Sequence, residues 1–333
     1  MENAKISFCV TYYNQSGFVF QSLDSILALD MPCGFEILVG DDGSADDTVA
    51  KIKEYQSRFP DKIKLFVMPR EAGKKYNFIH RAAANRLNLV EHATGDFIMF
   101  LDGDDHYCAT DFIPKALARF EKNKNLVACA FDYQMEYPDR IERPHPSAKN
   151  FSVSDYVKGI YIPSGAFVFK NVFDGEKSRF LKQTKYFDDN VITLYVLQFG
   201  DLTYIDEPVY GYRQNEGSIW NSASELEKNI INAECYFILS AIVPKFKDLI
   251  LRRQFGSIKQ VWKNRKKIKT TLTDDVFKKH FSDVCERNDV FIKNCLNWNE
   301  LSVFEKIKTW FIFKKMYFAF KKLKILQKKN GKG

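Results

Sequence analysis

Four short apolar runs, each separated from the next by a helix-spaced segment, occupy the first hundred residues, and this alternation constrains the chain more than any other feature. Ile6 to Thr11 is the first run, and Leu23, Ile26 and Leu27 then recur at helical spacing. Phe35 to Gly40 is the second, followed by Val49, Ile52 and Tyr55 on one helical face. Ile63 to Val67 precedes a predicted helix over 77–90, and Phe97 to Leu101 is the fourth. Apolar runs without polar alternation are strands covered on both faces. Interleaved with helices, they predict an α/β fold of Rossmann type, a mostly parallel sheet flanked by helices.

Further along, residues 126–135 read as another strand and 137–154 as a polar connection punctuated by proline. Gly165 to Lys170 is strand-like, Asp188 to Phe199 helical, and Tyr204-Ile205 and Val209 to Tyr212 are short extended pieces. From about Glu225 the pattern is entirely helical and rich in lysine and arginine. A boundary near residue 222 divides the chain into an α/β domain, 1–222, and a helical Lys-rich region, 223–333. A length of 333 residues suits one large domain or two modest ones. With 45% hydrophobic and 15% aromatic residues, the chain is not disordered.

The net charge of +8 is unevenly placed. Leu301 to Gly333 holds ten lysines against one acid, Glu305, so the preceding 300 residues are close to neutral. Seven cysteines with no Cys-x-x-Cys pair argue against a zinc cluster or a disulfide framework, and for a reducing compartment. No signal-peptide core opens the sequence, and no run of ~18 apolar residues could span a bilayer. The expectation is a cytoplasmic protein.

In open α/β sheets, ligands bind beyond the carboxyl ends of the strands. Three polar clusters stand at such ends: Thr11 to Asn14, Asp41-Asp42, and Asp102-Gly-Asp-Asp105. Asp and Asn also start turns and cap helices, which would account for part of Asp41 to Ser44, with Ser44 or Asp46 as the cap. Three carboxylates in four residues are explained less well that way, because they repel unless a cation neutralises them. Hard oxygen ligands without paired His or Cys suit Mg²⁺ or Mn²⁺, which leaves coordination positions for substrate phosphates. The glycine-rich loops of dinucleotide dehydrogenases and P-loop kinases are absent.

Together these motifs resemble the family-2 inverting glycosyltransferases. Ile6 to Asn14, Ser22 to Leu27 and Glu36 to Thr48 are similar to the family's opening, and Phe97 to Asp105 to its Asp-x-Asp strand end. Tyr186-Phe-Asp-Asp189 and Ile205 to Arg213 are similar to its acidic pair and its Tyr-Arg segment. The resemblance spans roughly 5–220 and implies a GT-A-like fold and a nucleotide-diphospho-sugar donor, with UDP-sugars the leading class. It implies Thr11 and Tyr13 beside the nucleobase, with Asp42 or Asp41 on its polar edge. It places Asp102 at the ribose or metal, Asp104 on the metal, Asp105 behind them, and Arg213 near the diphosphate. Asp189 is the implied base that deprotonates the acceptor hydroxyl, with Asp188 structural or acceptor-binding. Both could instead simply open a helix. Many relatives carry His two residues after the Arg, where this chain has Asn215.

Of the five histidines, His80, His92, His106, His145 and His280, none has ligand spacing, and only His106 neighbours the acidic cluster. Lys74 and Lys75 could meet phosphate, but solvated loop lysines are the commoner case. In the tail, Phe304, Ile307, Trp310, Phe311, Phe313, Tyr317, Phe318 and Phe320 mix with Lys314-Lys315 and Lys321-Lys322. This pattern predicts an amphipathic helix on an anionic membrane, at the inner face of the cell membrane; a helix packed on the body is the alternative. The expected acceptor is a saccharide or lipid-linked saccharide of surface-glycan synthesis, and no nucleic acid is expected. Two other classes compete: a nucleotidyltransferase, which needs a basic glycine-rich loop missing here, and a non-catalytic membrane- or nucleic-acid-binding protein acting through the tail.

Overall fold

The computed structural model describes residues 4–74, 76–144, 151–173, 181, 186–214, 224–266, 291, 294–295 and 297–330, without the side chains of 157, 158 and 322–330. Asn215, Lys75, His145, His280 and Cys285 lie outside the described residues. Two compact units emerge: Met1–Lys74 with Phe78–Asn215, and Lys75–Asn77 with Glu216–Gly333.

In the first unit, β1 (Lys5–Tyr12), β2 (Gly34–Asp41), β3 (Ile63–Val67) and β4 (Phe97–Asp102) pair in parallel in the order β3-β2-β1-β4. All four predicted strands are present. The helices between them are α1 (Val19–Leu27), α2 (Thr48–Arg58) and α3 (Phe78–His92). Burial follows from two-sided cover: Ile6, Phe8, Val10, Ile37, Leu38, Val39, Ile98 and Met99 have no exposed surface.

The sheet then changes character. After β5 (His106–Tyr107) and α4 (Phe112–Lys122), β6 (Leu126–Glu136) continues into the two-residue β7 (Ile141–Glu142). A short helix, α5 (Val153–Lys158), and a 3₁₀ turn at Ser164–Ala166 lead into β8 (Phe167–Lys170), which inserts antiparallel between β4 and β6. Helix α6 (Asp189–Leu197) and β9 (Asp201–Arg213) follow, with β9 parallel to β6. The two extended pieces foreseen around residue 205 are one continuous strand. Its register on β6 slips where Asp132 faces Pro208, because proline donates no ladder hydrogen bond. Two antiparallel steps, β4 to β8 and β8 to β6, return β6 and β9 to the direction of β1–β4. The carboxyl ends of six strands therefore share one edge.

At the opposite edge, the buried Glu36 accepts hydrogen bonds from Ser7 Oγ and from the Thr94 amide at 2.8 Å, and from Thr94 Oγ1 at 2.7 Å. Lys5 and Lys64 each lie 3.2 Å from it. Burial alone would raise this carboxyl; the hydrogen bonds outweigh it and hold the group at about 2.

In the second unit, α7 (Glu225–Ile242) opens with a Ser224/Glu227 capping box and packs on α8 (Lys247–Asn264). Helix α9 (Val303–Asn330) packs on α8 through rings, with Phe313 stacked on Trp262 at 4.8 Å and Phe320 on Phe255 at 4.6 Å. The tail is helical, as read, but its apolar residues occupy two faces: one packs on α8 and the other is exposed. Among the described residues no helix is long and apolar enough to cross a membrane, and the six described cysteines are all free.

Candidate functional site

Strand register assembles the three polar clusters. Tyr12 pairs with Asp41 across β1 and β2, and Thr11 pairs with Asp102 across β1 and β4. Adjacent parallel strands thus end together, and the residues just past them converge. Gly103 makes the turn after β4 possible, since a Cβ there would lie 2.1 Å from the Tyr12 ring. Asn14, in the left-handed region at φ 51°, ties this edge to the β2 turn: its amide donates to Ser44 Oγ and its Oδ1 accepts from Ala45, both at 2.8 Å.

The two carboxylates after β2 take different tasks. Asp41 is fully buried, and its oxygens accept from the Ser44 amide at 2.8 Å and Ser44 Oγ at 2.5 Å. That is the turn-forming use of an aspartate. Asp46, not the cap itself, accepts from the Thr48 amide at 3.0 Å. Asp42 is gripped by two arginines, Arg70 and Arg81. The Arg70 guanidinium also lies 4.0 Å above the Tyr13 ring, which is 40% exposed. Tyr13, exposed, and Asp42, buried beneath the two arginines, therefore meet at a cationic corner at the ends of β1 and β2.

Asp102 and Asp189 are brought together by Arg86 of α3. One guanidinium nitrogen, Nη2, reaches both Asp102 oxygens at 2.5 and 2.7 Å, and the other, Nη1, lies 3.9 Å from Asp189 Oδ1. Thr11 Oγ1 donates to Asp102 at 3.2 Å. Burial would weaken the Arg86 charge, but Asp102 and Asp189 together hold its pKa above the usual value.

Asp189 is the first residue of α6, and the preceding Asp188 caps that helix by accepting from the Val191 amide at 2.9 Å. Burial pushes the Asp188 carboxyl up. Asp189 accepts from Ser164 Oγ at 2.6 Å and from the Tyr161 hydroxyl, and its backbone carbonyl takes Tyr156 at 3.3 Å. Burial, then the Asp189 charge, push the Tyr161 hydroxyl well up, so it remains a donor. A carboxylate has about four acceptor positions, and Asp189 is still 21% exposed, so room remains for a further hydroxyl.

Asp105 turns inward. Tyr210 donates to it at 2.5 Å and the Arg213 amide at 2.8 Å, which pins the end of β9 to the turn after β4. Burial first, and the nearby Asp104 and Asp102 charges second, push its carboxyl well up. The Arg213 side chain donates to the Asp104 carbonyl and to Gln21, so it too closes this junction. Asp104 keeps a partly exposed side chain, as does Asp102. His106 pairs across with Gly211, its Nε2 3.5 Å from Glu136; burial, with help from Arg213, holds its pKa down. Lys74 pairs with Glu71 at 2.6 Å.

Among the described residues no three His, Cys, Asp or Glu side chains converge as a metal cage. Two partly exposed carboxylates at a strand end match Mg²⁺ or Mn²⁺, which take one or two protein carboxylates beside phosphate and water. The sequence reading missed Arg70, Arg81, Arg86, Tyr161 and Ser164. The available signal was thin: arginines at 81 and 86 interrupt an Ala-rich helical run.

The mixed sheet with its acidic carboxyl edge is the fold of GT-A glycosyltransferases. Residues 7–176 match glycosyl transferase family 2, and the chain belongs to that family. Among structures, S. aureus TarS residues 1–349 solved with UDP aligns with a TM-score of 0.58 at 13% identity, covering 95% of this chain and 91% of that one. The same protein with UDP-GlcNAc aligns at 0.52 and 16% identity, covering 95% and 92%. Among curated relatives, the uncharacterized glycosyltransferase YfnE of Bacillus subtilis is 28% identical over 42% of this chain and 34% of its own length. The putative glycosyltransferase EpsE of the same organism is 35% identical over 30% and 33%. The chain thus spans about a third of the length of these two relatives.

Proposed function

We propose that this glycosyltransferase moves a sugar, with inversion, from a nucleotide-diphospho-sugar to a hydroxyl of a saccharide or lipid-linked saccharide. The observation that carries the proposal is the Asp102–Arg86–Asp189 chain. It sets the carboxylate at the end of β4, where a donor diphosphate would lie, beside a second, partly open carboxylate on α6. A UDP-sugar is the favoured donor, supported by the likeness in fold to a protein solved with UDP and with UDP-GlcNAc.

The residues divide the work as follows. Tyr13 offers a ring face and Asp42 a polar edge for the nucleobase, which Thr11 flanks. Mg²⁺ or Mn²⁺ held by Asp104, with Asp102, would neutralise the charge that builds on the departing diphosphate. Asp189 accepts the proton of the acceptor hydroxyl as that oxygen attacks the sugar carbon from the face opposite the diphosphate. Tyr161 and Ser164 aim the Asp189 carboxylate, and Arg86 fixes its distance from Asp102. Asp105, Tyr210 and Arg213 hold the turn that presents Asp104, and the Arg213 charge at that turn would favour the diphosphate. Asp188 serves the helix rather than the acceptor. The α/β unit would carry all of this chemistry, and the helical Lys-rich region none.

A panel of nucleotide-sugars tests the reading. One class should raise the melting temperature in Mn²⁺ but not in excess chelator, and should be slowly hydrolysed. If no nucleotide-sugar stabilises the protein, or if nucleoside triphosphates do so instead with pyrophosphate release, transfer of a sugar is the wrong reaction.

A further inference from the structure

Helix α9 carries an exposed apolar stripe whose ring contacts among the described residues, Phe311 with Trp310 and Phe318 with Tyr317, are to neighbours on the same helix. Phe304, Phe311 and Phe318 are 75%, 60% and 61% exposed. Seven residues advance a helix by nearly two full turns, so these three rings lie within about 40° of one another. Ile307, 48% exposed, falls on the same stripe. The residues that bury the helix, Thr309, Phe313 and Phe320, fall on the opposite side. Phe304, Phe311 and Phe318 therefore point away from α8, with Tyr317, 38% exposed, on the flank between the two faces, where it meets both Phe255 and Phe318.

Lysines border this stripe. Lys308 and Lys315 follow one edge, and Lys314 and Lys321 the other, with Lys314 5.2 Å above the Trp310 ring. The helix's first-turn acid, Glu305, is turned to its own N-terminus, where it takes Ser302 Oγ at 2.7 Å and the Ser302 amide at 2.9 Å. We propose that this face docks on an anionic lipid surface, with the Phe304/Phe311/Phe318 stripe in the acyl boundary and the lysine rows at the headgroups. Charge decides between possible occupants. A second copy of the chain would bring lysine row against lysine row, with no acidic row to offset the repulsion, whereas anionic headgroups complement both rows. The stripe is about 21 Å long at 1.5 Å per residue, and the helix is too polar to cross a bilayer, so it lies in the interface.

Flotation of the full chain with vesicles tests the proposal, using phosphatidylcholine alone and phosphatidylcholine mixed with phosphatidylglycerol. Binding should require phosphatidylglycerol and weaken in high salt. Replacing Lys308, Lys314, Lys315 and Lys321 by Gln should lower partitioning by ~100–1,000-fold. Phe304→Ser with Phe311→Ser and Phe318→Ser should lower it by at least ~100-fold, with helix content unchanged by circular dichroism. Hydrolysis of a soluble donor should stay at the wild-type rate in both variants, which separates this proposal from the assignment of the reaction. Three results would each overturn it: no flotation with either vesicle, flotation indifferent to phosphatidylglycerol and to both variants, or a non-floating dimer that the Phe changes dissolve.

Discussion

Replacing Arg86 by Met keeps the aliphatic stem in place and removes the fork that joins Asp102 to Asp189. Arg86 is 13% exposed, and its two contacts with Asp102 are 2.5 and 2.7 Å long. Losing one partner of a buried ion pair costs ~3–5 kcal/mol. The Asp102 side chain is 38% exposed, so water recovers part of that. The expected loss is about 2–3 kcal/mol, which in an α/β unit of about 200 residues lowers the melting temperature by roughly 4–12 °C. Catalysis should suffer separately: with Asp189 and Asp102 no longer held at a fixed separation, transfer should fall ~100-fold. Arg86→Lys, which restores a charge but not the fork, should recover part of the stability and little of the rate. Circular dichroism melts beside donor-hydrolysis and transfer rates measure both. If Arg86→Met melts within 1–2 °C of wild type (under about 1 kcal/mol) and transfers at near the normal rate, Arg86 does not organise the site.

Asp104→Asn should abolish the Mn²⁺-dependent stabilisation by donor and leave the fold intact; full activity in excess chelator would contradict the metal assignment. Asp188→Ala should cost ~1 kcal/mol through loss of the helix cap, while Asp188→Asn, an equally good cap, should not; equal melting temperatures for the two would refute the capping role. Glu36 is held at about 2 against an ordinary 4.5, so its contribution is complete above pH ~4.5 and is lost as pH falls towards 2. That contribution is about 2–3 kcal/mol once screening by its exposed lysines is allowed for. Acid melts of Glu36→Gln should lack this part of the pH dependence, and a curve parallel to wild type would refute it.

The acidic edge was legible because parallel strands buried on both faces are written as unbroken apolar runs. Where Phe97 to Leu101 stops at Asp102, the sequence marks a strand end directly. The junctions were harder to read. Asp206-Glu-Pro208 interrupts the apolar pattern of β9, yet its strand neighbour β6 carries the chain through the slip in register. Helix α4 was not read at all, and two-residue β5 is too short to leave a pattern. Arg70, Arg81 and Arg86 escaped notice for another reason. Their partners lie 28, 39 and 16 positions away, and a single arginine on a helix has no spacing that distinguishes a buried clamp from a solvated side chain. The tail's two apolar faces were visible only once Phe313 and Phe320 were seen against α8.

The central claim is that Asp189 takes the acceptor's proton and has no part in holding the donor. Measuring donor affinity and transfer rate together in Asp189→Asn tests it most directly. Asn can accept from one of the two hydroxyls, Ser164 or Tyr161, which reach different oxygens of Asp189, and the other hydroxyl can turn to accept from the Asn amide, so local packing should survive. The account predicts a donor Kd within about threefold of wild type and a transfer rate lower by ~100-fold or more. Loss of donor binding in step with the rate, or transfer that continues at the wild-type rate, would contradict it.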